Sequence, residues 1–235
     1  MATGASGTSY RAKGVAVLRI IDPKLPHIEA DVLAAWRAIP TPIISDERNR
    51  VGTMAAAIKA VAPGLSFAGE ALTVKTMVAD NLALHHAAAM AWPGAAIVID
   101  AGGYVDNAVW GELLQLTAAK RGAVGVVIDG SARDLDHLRI SPVPMFCRGI
   151  VPAGPHKAWG GEINIPIQCG GCPVAPGDII VGDDDGVAVV PRDIQAALLV
   201  RCKARLDSEH AIREQIAAGV STVEIFKLPG PDETT

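Results

Sequence analysis

The chain has 235 residues, half of them apolar, and a formal net charge of −4. That is enough apolar chain to bury a core without disulfides or a partner, and too acidic for an extended nucleic-acid-binding face. An anionic substrate stays open, because local fields rather than net charge govern a pocket.

Met1 to Tyr10 is small and polar and lacks the charged start and apolar run of a signal peptide. Residues 1–22 read as an N-terminal arm ahead of one domain spanning 23–235. His27 to Ile39 has apolar residues at helical spacing and stops before Pro40, which predicts a helix. Ser45-Asp46 is expected to open a second helix running towards Ala60, closed by Pro63-Gly64. Ala71 to Val78 alternates in its middle part, as a strand does.

A strand–helix–strand pattern follows. Asp80-Asn81 can cap a helix through Met90, and Ala95 to Asp100 is a short apolar strand. Gly102-Gly103 makes a turn into a helix centred on Leu113 to Lys120, and Ala123 to Asp129 is a second buried strand. Two apolar strands joined by a helical crossover predict a parallel sheet covered on both faces. The most apolar stretch, Leu82 to Ala101, is broken by His85, His86, Pro93 and Gly94, short of the ~20 residues of a membrane span. The expectation is a cytoplasmic protein with no membrane or nucleic-acid partner.

The next third is rich in proline, which precludes long helices. Val143 to Cys147, Glu162 to Ile167, Asp178 to Val181 and Gly186 to Val190 read as short strands. Asp183-Asp184-Asp185-Gly186 reads as a polar hairpin turn rather than a metal triad. Asp193 to Ala218 is an amphipathic helix with Gly219 ending it. Of the four cysteines only Cys169 and Cys172 lie close together, and no second pair completes a zinc site, so free buried thiols are expected.

Two short runs carry the chemistry. Gly111-Glu112-Leu113-Leu114 follows the first apolar strand, and Ser131-Ala132-Arg133-Asp134 follows the second. Ligands gather at the C-terminal ends of parallel strands, and adjacent strands would bring the two runs together. An Arg fork grips planar oxyanions, a lone carboxylate suits a hydrated Mg²⁺, and a helix start offers free amides to an anion. Spacing alone leaves the ordinary alternatives open: a surface Arg133 with a capping Asp134, and Glu112 as a first-turn acid complementing the helix dipole. His85 and His86, on an apolar helix, read as one packed and one solvated ring, and the four tryptophans as core or interface.

These runs, extended through Val127-Ile128-Asp129-Gly130, resemble the signature of the 4-hydroxy-4-methyl-2-oxoglutarate / 4-carboxy-4-hydroxy-2-oxoadipate aldolase family. That family shares its fold with the regulator of ribonuclease activity A. The likeness extends to Ser45-Asp46, Asp80-Asn81-Leu82 and the stretch from Cys169 to Val187, and covers about residues 28–226. It implies an α/β fold of the swivelling β/β/α type, one layered domain with flanking N- and C-terminal helices, assembled as trimers or hexamers with active sites between subunits.

The resemblance also implies roles. Asp134 would bind Mg²⁺ or Mn²⁺, Arg133 would contact the pyruvyl group, and Glu112 would hold a metal-bound water. The amides of Leu113 and Leu114, beside Gly111, would take the pyruvate carboxylate, and Glu209 would reach a neighbouring subunit's site. The activity implied is retro-aldol cleavage of 4-hydroxy-2-keto acids, with oxaloacetate decarboxylation on the side and no Schiff-base lysine. The ribonuclease regulators lack the acid after the Arg; a non-catalytic trimeric regulator is therefore the alternative that Asp134 argues against. For the amides to be free, the helix must begin near Gly111, with Gly102 to Trp110 an irregular loop, and not at Asp106 or Asn107.

Overall fold

The computed structural model describes residues 17–231. Its spine is β3 (Phe67–Thr76), a ten-residue strand buried at every position but Lys75. Along one side β3 runs parallel to β4 (Ala95–Asp100), which pairs in parallel with β6 (Gly125–Ala132), and β6 with β7 (Met145–Ile150). Its other side is shared. β11 (Ile179–Asp183) pairs antiparallel with the first half and β8 (Gly160–Ile163) with the second.

β1 (Val17–Ile20) adds to β8, β2 (Lys59–Ala60) to β7, and β12 (Gly186–Val190) to β11. A separate hairpin joins β9 (Ile167–Cys169) to β10 (Cys172–Val174). The result is one α/β domain: a mixed sheet with helices flanking it.

Alternation along β4 shows why its sequence is apolar throughout. Ile97 and Ile99 join Leu72, Val74, Val126 and Ile128 under α3 (Leu82–Met90) and α4 (Glu112–Arg121). Ala96 and Val98 join Ala71, Val127 and Phe146 under the β9–β10 hairpin. Both faces are covered, so neither can be polar. A third cluster packs α1 (Ala30–Arg37), α2 (Thr41–Glu47) and α6 (Gln195–Ala217) on β11 and β12. The four cysteines are free and buried, and burial pushes the thiols of Cys147 and Cys202 up to about 11.

Several expectations need correction. The helix expected from Ser45 to Ala60 is α2, which ends where that helix was to begin. Pro42 suits a first turn, and the Asp183 carboxylate accepts from Thr41 N (2.8 Å) and Oγ1 (2.7 Å), starting the helix early. Asn49 (φ 55°) and Arg50 (φ 64°) then turn left-handed and end it. Val17–Ile20, read as part of the arm, is edge strand β1; residues 1–16 lie outside the described residues. The proline-rich third holds β9 and β10, where Gly170 (φ 58°) and Gly171 (φ 75°) make the tight turn between the two cysteines. Asp183-Asp184-Asp185-Gly186 is the hairpin turn expected.

The Phe67 ring fills the gap beneath the sheet because two facing positions lack side chains. A Cβ on Gly125 would lie 2.3 Å from that ring, and one on Gly182 2.5 Å from it. Gly125→Ala should therefore cost ~1–3 kcal/mol by overpacking. The urea midpoint measures this; a midpoint equal to wild type would mean that the ring moves aside freely.

Candidate active site

β4 and β6 end at the same edge of the sheet, with Asp100 opposite Asp129 in register. Beyond them the chain places its two chemical runs side by side. A short strand, β5 (Ala108–Trp110), pairs in parallel with the end of β6, and Arg133 N donates to Trp110 O at 3.0 Å. The stretch from Gly102 to Trp110, expected to be an irregular loop throughout, is irregular only in part: its last three residues are zipped to β6. That zip fixes Gly111 against Asp134.

α4 begins at Glu112 with Gly111 as its N-cap, so the later of the two helix starts holds. Gly111 carries no capping side chain. Its cap comes from across the site: Glu112 N donates to Asp134 Oδ2 at 3.0 Å. A Cβ on Gly111 would sit 2.4 Å from that oxygen and 3.2 Å from Arg133 Cγ, so glycine is required by the close approach. The next two amides, Leu113 and Leu114, lie in the first turn and have no acceptor among the described residues.

Asp134 itself is left-handed (φ 62°, ψ 43°) and caps the one-turn helix α5 (Leu135–Arg139). A non-glycine residue there costs ~1–2 kcal/mol, least for Asn and Asp. The strain turns Oδ2 to the Glu112 amide and leaves Oδ1 without a protein partner among the described residues. Arg133 Nε lies 3.6 Å from Oδ2. Gly154 makes room for the guanidinium, since a Cβ there would approach Arg133 Nη1 to 2.5 Å.

Arg133, Asp134, Gly111, Leu113 and Leu114 all line one pocket of about 90 Å³. Its other wall is Asn81, His85, Pro155 and Lys157. Asp80 builds that wall. Its buried carboxylate accepts from Leu82 N (2.9 Å), starting α3, and from Ala158 N (2.7 Å) and Trp159 N (3.1 Å), anchoring the loop that carries Lys157. The His85 imidazole is held below the usual histidine range, by burial first, then by Lys157 and His86.

Glu112 has a partner that sequence reasoning missed: His137 Nδ1, on α5, lies 3.2 Å from its Oε1. Lys157 was also missed, being isolated in a proline-rich stretch, while His85 was noticed only as one of a pair with His86, read as one packed and one solvated ring. Glu209 does not reach this pocket in its own chain. It sits on α6, 3.5 Å from Arg205 and 3.2 Å from Arg213. Among the described residues no three His, Cys, Asp or Glu side chains are grouped to share a metal. A single carboxylate with one open oxygen is still a fitting donor for Mg²⁺, which keeps several waters and takes one or two protein carboxylates.

The chain is similar in sequence and fold to proteins of one family. The model of the RraA-like family, described as Aldolase/RraA, matches residues 41–189. A candidate 4-hydroxy-4-methyl-2-oxoglutarate aldolase from Halalkalibacterium halodurans is 36% identical over 202 residues, 86% of this chain and 96% of its own. A solved structure of an uncharacterized protein from Pseudomonas syringae pv. tomato matches with a TM-score of 0.76 and 28% identity, covering 86% of this chain and 95% of that one. The RNA-processing inhibitor RraA from Thermus thermophilus matches with a TM-score of 0.60 and 27% identity, covering 65% and 92%.

Its bond to the Glu112 amide makes Asp134 part of the scaffold. Asp134→Ala should lose both the cap of α4 and the tolerance of a left-handed backbone, ~1–2 kcal/mol together. Asp134→Asn keeps a side-chain oxygen and that tolerance, and should lose at most half as much. Denaturant titration of the two variants separates these contributions; equal losses would show that the cap contributes nothing.

Proposed function

Because the chain belongs to the RraA-like family, Aldolase/RraA, we propose that it is a divalent-metal-dependent pyruvate aldolase. It would be a carbon–carbon lyase that cleaves 4-hydroxy-2-keto acids through a pyruvate enolate and decarboxylates oxaloacetate by the same route. The observation that carries this reading is the convergence of the Arg133 guanidinium, the Asp134 carboxylate and the free amides of Leu113 and Leu114 on one small pocket.

In this reading the substrate carboxylate sits on the amides of Leu113 and Leu114 at the start of α4, where Gly111 leaves the backbone bare. Arg133 stands beside the keto oxygen, which gains negative charge as the C3–C4 bond breaks. Asp134 would hold Mg²⁺ or Mn²⁺, which when bound supplies an electron sink for that charge. The proton of the C4 hydroxyl must leave as the bond breaks, and Glu112 and Glu209 are proposed to position its carrier. Once the bond is broken, C3 takes a proton and pyruvate is released.

Glu209 enters only through assembly, which makes a homotrimer or hexamer part of the proposal. Two exposed apolar surfaces support it. Leu113, Leu116 and Ile140 are 75%, 60% and 82% exposed beside the pocket. The far end of α6 and the following helix α7 (Thr222–Phe226) leave Ile216, Val223 and Phe226 in solvent. Burying such side chains is worth roughly 1.5–3 kcal/mol each. The fold likeness to RraA favours a second reading, a non-catalytic regulator that binds another protein. That reading requires no metal dependence.

Pyruvate release from 4-hydroxy-2-keto acids should require Mg²⁺ or Mn²⁺ and stop in EDTA. Arg133→Ala should lower turnover by ~10²–10³. Coupled detection of pyruvate decides it, and turnover that ignores EDTA would end the metal reading. By sedimentation the active species should be a trimer or hexamer; a fully active monomer would remove Glu209 from the site.

A further inference from the structure

Two buried polar atoms in this pocket have no hydrogen-bond partner among the described residues: Asn81 Oδ1 and His85 Nε2. The two residues are one turn apart, with His85 N donating to Asn81 O at 3.2 Å, so they share a face of α3. The orientation of the Asn81 amide is fixed. Its Nδ2 donates to Val109 O at 3.2 Å, and a carbonyl can only accept, so the free end is the oxygen. The lowered basicity of His85 keeps its ring neutral near pH 7, with one nitrogen carrying hydrogen and the other not.

Leaving a buried donor or acceptor unmade costs ~1–3 kcal/mol, so two of them in one pocket point to a ligand group that completes both. The chemistry of that group follows from theirs. A carboxylate oxygen is acceptor-only and would oppose Asn81 Oδ1. A hydroxyl donates one hydrogen and accepts others, and so can satisfy an amide oxygen and an imidazole N–H at once.

Resting on the enolate reading above, we propose that Asn81 and His85 recognise the C4 hydroxyl of the substrate. They are then specificity-determining residues, which favour cleavage of hydroxy acids over decarboxylation of oxaloacetate. Oxaloacetate carries no such hydroxyl, and pyruvate has no C4 at all. Loss of the pair should therefore weaken one reaction more than two others that pass through the same enolate. Sites built to bond a hydroxyl discriminate by the groups they leave unpaired without it.

The test uses the full chain with Mg²⁺ and three measurements: cleavage of 4-hydroxy-2-oxoglutarate, decarboxylation of oxaloacetate, and exchange of the pyruvate methyl protons in D₂O. His85→Leu should lower kcat/KM for cleavage by roughly 10- to 100-fold more than it lowers the other two rates. His85→Gln, whose amide nitrogen can reach the place of Nε2, should restore most of the loss. Asn81→Leu should repeat the pattern, but it also loses the bond to Val109, so the His85 variants carry the test. Equal losses in all three reactions, or no loss in any, would overturn the assignment. So would a wild-type protein that decarboxylates oxaloacetate and cleaves no 4-hydroxy-2-keto acid, although the enolate reading would stand. A wild-type protein inactive in all three assays would instead remove the enolate reading itself.

Discussion

The contact between the Asp134 carboxylate and the Glu112 amide is the joint on which the site depends. It closes a 22-residue excursion of the chain, from the start of α4 through β6 to the residue that caps α5. Three local features make it possible, and none is favourable alone. Gly111 is a weak cap, Asp134 must turn left-handed, and the last turn of β6 must pair with β5. Together they set a carboxylate at a helix N-terminus, where the helix dipole favours negative charge. The same carboxylate neutralises part of the Arg133 charge at 3.6 Å. A cation held at Asp134 would thus be in contact with a residue that also supports α4, which links the proposed cofactor to helix stability.

The sheet explains why the joint forms where it does. Parallel pairing of β4 with β6 sends their C-terminal ends to the same edge, and β6 runs on past the end of β4 to pair with β5, which brings the residues that follow together. Parallel strands need covered faces. α3 and α4 provide one cover and the β9–β10 hairpin the other, with Phe67 seated between Gly125 and Gly182. The helices that cover the sheet are also the walls of the site. α4 supplies its free amides from its first turn, and α3 supplies Asn81 and His85 from its own.

Much of this was legible in the sequence because the signals were local. Ala95–Asp100 and its partner strand are apolar runs of strand length, Asp80-Asn81 is a capping pair, and Gly111 is a poor interior residue that marks a helix start. The resemblance added Arg133 and Asp134, which spacing could not separate from a surface pair. What escaped was set at long range. α2 starts early because of Asp183, 142 residues away in sequence. β5 exists only because β6 lies beside it, and three residues carry no period of their own. His137 meets Glu112 through a one-turn helix too short to be read. Lys157 reaches the pocket because Asp80, 78 residues from Ala158 in sequence, holds its loop.

Two of the left-handed non-glycine residues stand at these two walls. Among the described non-glycine residues, Asp134 (φ 62°) precedes α5 and Ala79 (φ 58°) lies three residues before α3. Each left-handed residue costs ~1–2 kcal/mol, and alanine has no side chain to offset it. Ala79 is held by a bond from His156 N to its carbonyl at 2.8 Å, and Asn81 N donates in turn to His156 O at 3.0 Å. The strained turn therefore ties the Lys157 loop to the start of α3, as the Asp134 turn ties α5 to α4. Strain at these two junctions, with unpaired polar groups between them, is spent on holding two walls at a fixed separation. A pocket of about 90 Å³ can discriminate among small ligands only if that separation does not relax.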